Sequence, residues 1–235
     1  MPISTLETFD LTVDRIKRQQ PFGLACYTFL KSIVGNDARH EKFNGSYGGH
    51  AVDLSIRSIQ SSLILFCSRH WDQPRPDMDE QQIYQSIPAI GDTDSTVIDE
   101  IVDRHQEEFD RLGFDRDAQE FRQYFDGLSQ EIDATSSSLD SRFVRVHRTE
   151  QLAHQVASSR DRLNARRDHP DFDLGGFTVE KLLEFSEKTL RLGEKIIYFR
   201  ERLVPSFDDR VENFEQYYDR FWDCLPVFAD VEDPL

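Results

Sequence analysis

An all-α fold is what this sequence predicts, and three observations carry it. Apolar residues recur at spacings of three and four along most of the 235 residues, the strict alternation of a half-buried strand is nearly absent, and capping and stop residues bracket the periodic stretches. No Gly/Ser-rich or Pro-rich linker divides the chain, so one domain is expected over 1–235, with a core of about 10–205 and an aromatic C-terminal helix of about 208–224. Hydrophobic residues are only 38% of the chain, but 18 Phe and 7 Tyr supply rings that bury a large area each, so a core can be built.

The elements follow in order. The spacing predicts a helix over about Leu6 to Arg18, and a second that begins with Pro21 in its first turn and runs through Leu24, Tyr27 and Leu30. Gly45, Gly48 and Gly49 mark an irregular joint. A long helix over about Ala51 to His70 carries Leu54, Ile56, Ile59, Leu63, Ile64 and Phe66, dense enough to place it centrally in the core, and it ends before Pro74 and Pro76. His70-Trp71-Asp72 at that end reads as a cap rather than a ligand pair. A short helix over about Asp79 to Ile90 stops near Pro88 and Gly91. Asp94 or Ser95 then caps a helix through Val97, Ile98, Ile101, Val102, Phe109 and Leu112, which Gly113 closes.

A further amphipathic helix spans about Asp117 to Ile132, with Phe121, Tyr124, Phe125 and Leu128, followed by the break Ala-Thr-Ser-Ser-Ser-Leu-Asp at 134–140. The next helix starts near Ser141 and fades after Val156. Ser158 to Gly176 is polar and Arg-rich and reads as a long loop, the best candidate for a substrate-facing lid. Thr178 caps a strong helix over Val179 to about Val204, ended by Pro205. An aromatic helix over about Asp208 to Cys224 comes last, with Phe214, Tyr217, Tyr218, Phe221 and Trp222, and the acidic tail is expected to fray.

Composition narrows the function. Three scattered cysteines, Cys26, Cys67 and Cys224, have neither disulfide-framework nor thiolate-zinc spacing, which fits a reducing compartment. The N-terminus lacks an apolar run of signal-peptide type, and the longest apolar run, Leu63 to Cys67, is too short to cross a bilayer, so a cytoplasmic protein with no membrane partner is expected. His40, His50 and His105 stand alone, without metal-ligand spacing. No phosphate-cradling Gly-rich loop, nucleophile elbow or thiolate cluster is present, so the sequence calls for no metal and no cofactor.

Net charge is −16, which opposes nucleic acid unless the cations are gathered. They are gathered: between Ser141 and His169 stand seven arginines (Arg142, Arg145, Arg148, Arg160, Arg162, Arg166 and Arg167) against three acids, a local +4. Within that segment Arg148-Thr149-Glu150-Gln151-Leu152-Ala153-His154 joins a fixed cation to a titratable imidazole. On a regular helix the two groups would stand roughly 9 Å apart and about 120° around the axis, able to flank one phosphate without touching. Glu150 lies four residues before His154, where it can orient the ring and raise its pKa, an arrangement suited to acid/base work. Arg162 and His169 form a second Arg-to-His pair, but in a loop without an apolar helix around it, and the first pair is preferred.

His-Arg-Thr-Glu-Gln-Leu-Ala-His over 147–154, followed by the polar loop and then by Phe-Thr-Val-Glu-Lys-Leu-Leu-Glu-Phe-Ser-Glu-Lys-Thr-Leu over 177–190, resembles the HEPN superfamily, close to its AbiU-type abortive-infection branch. The apolar helix ending Leu-Ile-Leu-Phe-Cys-Ser-Arg-His-Trp-Asp and the stretch Ile-Tyr-Gln-Ser-Ile-Pro-Ala-Ile are similar to that branch too, so the likeness covers most of 10–205. The resemblance implies an antiparallel helical bundle with additional helices, a homodimer joined along the motif helix, and metal-independent RNA cleavage in which the 2′-hydroxyl attacks the adjacent phosphorus. His154 would be general base or acid, Arg148 would hold the phosphate, Thr149 and Glu150 would complete the site, and Arg145, Arg160, Arg162, Arg166 and Arg167 would grip the RNA backbone.

Thr149 stands where family nucleases often carry Asn, Asp or His and offers only a hydroxyl. Val156 stands where branches paired with a nucleotidyltransferase antitoxin often carry Tyr, which disfavours that pairing, although an antitoxin or regulatory protein of another kind is compatible. Two functions of different class therefore remain: an endoribonuclease serving as a phage-defence or toxin effector, and a catalytically silent HEPN-like module that binds a protein or nucleotide.

Overall fold

The computed structural model describes residues 3–43, 47–72, 86–115, 117–149, 177–202 and 206–225, and among these every regular element is a helix. In chain order they are α1 (Leu6–Ile33), α2 (Asp37–Phe43), α3 (Tyr47–His70), α4 (Ile87–Gly91), α5 (Ser95–Leu112), α6 (Gln119–Ser136), α7 (Leu139–His147), α8 (Val179–Glu201) and α9 (Phe207–Cys224).

Helix α1 is one element where the sequence predicted two. Pro21 lies inside it, although an interior proline removes a backbone hydrogen bond and disfavours the helix by about 3 kcal/mol. The buried positions Phe9, Val13, Ile16, Gln20, Leu24 and Tyr27 keep one helical register across the proline, while Pro21 itself is exposed. Burial of that continuous stripe against α8 outweighs the missing bond. The pairing runs antiparallel: Phe9 packs edge-on against Phe199 at 6.1 Å, and Tyr27 donates to Glu187 at 2.7 Å.

Helix α3 runs parallel to α8, since Cys67 meets Ser186 at 3.2 Å and the Trp71 indole donates to Thr189 Oγ1 at 2.8 Å. It is therefore antiparallel to α1, and the three helices form the spine of an antiparallel bundle. Helix α6 flanks α8 from the other side through Phe125–Phe199 at 4.9 Å and Tyr124–Tyr198 at 5.5 Å. Helix α5 joins it through His105–Phe121 at 4.7 Å. Helix α9 covers α1 and α2, with Trp222 against Phe29 and Phe43 and its indole donating to Ser32.

Several boundaries follow from their caps. Thr178, Ser206, Ser138, Ser86 and Thr5 each accept a bond from the amide three residues on, and Gly113 closes α5 with φ 72°. Other expectations fail for physical reasons. Gly48 and Gly49 lie in the first turn of α3 rather than in a joint. Pro88 sits in the first turn of α4, where its missing N–H costs nothing, and the helix ends at Gly91 as expected, while the expected start near Asp79 lies outside the described residues. Helix α6 continues through Ala134, Thr135 and Ser136 because Thr135 is buried and its hydroxyl returns to the Glu131 carbonyl, leaving a break only at Ser137–Ser138. Leu54 is 65% exposed, whereas Val52, Ile56 and Ile59 pack partly buried against the core and full burial begins at Leu63.

Candidate functional site

Helix α7 brings Arg148 to the bundle. Its buried residues Phe143, Val144 and Val146 seat it against α3 and α8, and Phe143 stacks on Phe177, just before the Thr178 cap, at 5.2 Å and 18°. The regular helix ends at His147. Arg148 caps it with helical φ −57° and ψ −50°, and the chain widens into a π-type turn at Arg148 and Thr149. Thr149 Oγ1 donates to the Arg145 carbonyl at 3.0 Å, a return bond that loosens the regular ladder. The sequence reading had assumed one regular helix from Arg148 through His154, which the widened turn does not follow at its start.

The guanidinium of Arg148 pairs with the carboxylate of Asp72, Nη1 to Oδ2, in a short ion pair across 76 residues of sequence. Both side chains are about a quarter exposed, at 25% and 26%. Asp72 stands at the end of α3 on a fixed base. Trp71, fully buried, is bonded to Thr189 and packed against Phe185 at 5.9 Å, and the Asp72 carbonyl accepts from the Ser86 hydroxyl at 2.6 Å.

His70 Nδ1 donates to the Phe66 carbonyl at 2.9 Å and the ring lies against Phe66 at 4.3 Å; this bond reaches one turn back inside α3 and does not satisfy a terminal carbonyl, so it is not the cap the sequence suggested. Its burial removes water from the cationic form and pulls its pKa down to about 4, leaving a neutral ring whose Nε2 is unpartnered among the described residues. Asp72, grouped with it as a cap, is instead the partner of Arg148. No local pattern signals such a pair, because it is made by the packing of α7 on α3.

His147, one residue before Arg148, is a second group the sequence reading passed over. It is half-buried, and desolvation holds its pKa below the usual histidine value. His105 is a core residue whose Nε2 bonds the Phe199 carbonyl at 2.7 Å, again with a pKa lowered by burial. Burial also raises the thiol pKa of Cys26 to about 11 and that of Cys67 to about 12, so both stay protonated.

Of the predicted site residues, Arg145, Arg148 and Thr149 are described, all on the last turns of α7 and its extension. Glu150, His154, Arg160, Arg162, Arg166 and Arg167 lie outside the described residues, as do the alternative His169 and the expected lid over 158–176. Among the described residues no group of three or more His, Cys, Asp or Glu gathers as a metal site, and no helix is long and apolar enough to cross a membrane.

No curated protein and no solved structure matches the chain. A family model does: HEPN_AbiU2, described as AbiU2, matches residues 11–221, from the first turns of α1 to the last turn of α9 and across the whole Arg-rich segment. The chain belongs to the HEPN AbiU2 family.

Proposed function

We propose that this chain is a metal-independent endoribonuclease of the HEPN type, acting in the cytoplasm as a phage-defence or toxin effector. The observation that carries the reading is Arg148: in a chain of this family, a quarter-exposed guanidinium stands at the widened end of α7, six residues before His154. In the proposed reaction His154 takes the proton of an RNA 2′-hydroxyl, or delivers one to the departing 5′-oxygen. The 2′-oxygen then bonds to phosphorus as the 5′-oxygen leaves, giving a 2′,3′-cyclic phosphate and a 5′-hydroxyl end. Arg148 binds the phosphate and offsets the charge that grows on it. Glu150 orients the His154 ring, the Thr149 hydroxyl borders the site, and Arg145, Arg160, Arg162, Arg166 and Arg167 hold the RNA backbone. Two chains meeting along the motif segment would pool two copies of the pair at one cleft.

A second reading is a catalytically silent HEPN-like module that binds a protein or nucleotide. The ion pair with Asp72 favours it to this extent, that a guanidinium already satisfied by a carboxylate also suits a purely structural joint.

The test is cleavage of total and synthetic RNA in EDTA by the wild type, Arg148→Ala and His154→Ala, with sedimentation to read the oligomeric state. Cyclic-phosphate ends that appear with the wild type and vanish in both variants are the expected result. A folded, dimeric wild type that leaves RNA intact would overturn the nuclease reading and leave the binding module.

A further inference from the structure

We propose that Asp72 is a positioning residue for Arg148, fixing the guanidinium so that the donors its carboxylate does not occupy face an RNA phosphate. The inference rests on the nuclease reading above and adds to it a residue from a different helix.

Three features of the structure lead there. The first is a contrast in rigidity. Arg148 stands at the very end of α7, where the regular helix passes into the wider turn, on a long side chain with much rotamer freedom to lose. Asp72 is held on three sides: the Trp71 amide bonds back to the Cys67 and Ser68 carbonyls, the Trp71 indole is tied to Thr189 of α8, and the Asp72 carbonyl is tied to Ser86 ahead of α4. The carboxylate thus transmits the geometry of the α3–α8 spine to the cation. The second is the form of the contact. It uses Nη1 and a single carboxylate oxygen, and a guanidinium carries five N–H donors in a rigid fork, so a phosphate can be met without breaking the pair. The third is exposure. At 25% and 26% the pair is sheltered enough for its charges to interact strongly and open enough for a ligand to reach.

The test uses the full chain. Asp72→Asn keeps the size of the side chain and removes its charge, and Asp72→Glu keeps the charge and shifts it by one methylene. Each is compared with the wild type, Arg148→Ala and the Asp72→Asn/Arg148→Ala double variant, after circular dichroism and melting confirm folding. Single-turnover cleavage at saturating RNA is the first readout. Anisotropy with a 2′-O-methyl oligoribonucleotide, which keeps the phosphates but cannot react, is the second.

Asp72→Asn should lose roughly tenfold to a hundredfold in single-turnover rate, the scale of misplacing a catalytic group by about an ångström. Asp72→Glu should recover part of it, and adding Asp72→Asn to Arg148→Ala should cost nothing more. A purely structural pair would lower the melting temperature and leave the rate per folded molecule unchanged, and that result overturns the proposal, as does an additive loss in the double variant. If the wild type cleaves no RNA, the nuclease reading fails separately and anisotropy decides: equal, non-additive weakening by Asp72→Asn and Arg148→Ala upholds the positioning role, and unchanged or tighter binding by Asp72→Asn overturns it.

Discussion

Replacing Gly23 by alanine sets two opposing effects against each other. Gly23 is buried on α1, and a Cβ built there would stand 2.5 Å from Cε2 and 2.7 Å from Cε1 of Phe66, and nearer still to Cζ. Ordinary carbon contacts are about 3.5–4.0 Å, so the ring must retreat by roughly an ångström. Behind it lies the His70 ring, its centroid 4.3 Å away and the residue 1% exposed, which leaves little room. Overpacking of this kind destabilises by about 1–3 kcal/mol. Alanine in a helix interior returns about 0.8–1 kcal/mol over glycine, so Gly23→Ala should be destabilised by up to about 2 kcal/mol, with about 1 kcal/mol at the middle of the range. For a chain of this size each kcal/mol moves Tm by about 2–4 °C, a fall of about 2–4 °C at the middle of that range. Urea unfolding should show a lower midpoint at unchanged m, and Gly23→Ala/Phe66→Leu should be less destabilised than the two single changes summed. A Gly23→Ala protein stabilised by the full helix-propensity gain of about 1 kcal/mol would refute the close approach of α1 to α3, and with it the register that places Trp71 and Asp72.

Two further perturbations probe the same joint. His70 has a folded pKa of about 4 against 6.5 for an unperturbed histidine, so below about pH 6.5 the unfolded chain binds a proton that the folded one refuses; stability is fully present above pH 6.5, falls as pH drops toward 4, and is then lost by an amount on the order of 3 kcal/mol. His70→Gln should flatten urea-unfolding stability across that window, and an unchanged slope would argue that the ring is not buried neutral. Trp71→Phe removes the bond to Thr189 and leaves a small void beside Phe185, so it should destabilise by about 2 kcal/mol; a melting temperature equal to the wild type would contradict the anchor.

Much of the fold was legible wherever a local rule had no competitor. Thr178 and Gly113 mark helix ends because each satisfies backbone groups within a few residues, and the predicted bounds of α5, α8 and α9 fall close to the observed ones. Pro21 misled because the proline rule is local while the stripe that overrides it is made by α8, far along the chain. Helix α2 went unread because its seven residues include one buried position, Phe43, too few to show a period. Leu54 misled in the opposite direction: it reads as one of the apolar positions of α3, but it lies off the face that Val52, Ile56 and Ile59 turn to the core. At the candidate site the same division holds. Arg148 and Thr149 were legible as a local motif, whereas Asp72 belongs to the site only through packing across 76 residues.

That long-range pairing bears on how an acidic chain would keep a cation ready for the phosphate contact proposed above. With a net charge of −16, acids lie within reach of most exposed arginines, and a flexible guanidinium would sample several of them. Charges beyond about 8–10 Å are screened at ordinary salt, so the overall excess matters less to a bound phosphate than the acid nearest the cation. Among the described residues Asp72 is an acid paired with Arg148, presented from a backbone fixed by Trp71 and Ser86. Arg142 and Arg145 precede Arg148 by six and three residues, so cationic residues are concentrated along this part of the chain. A single carboxylate on a fixed backbone limits the number of alternative ion pairs the Arg148 guanidinium samples. The rotamer freedom lost by Arg148 is then lost on folding rather than on binding, which is what preorganisation of a phosphate contact requires.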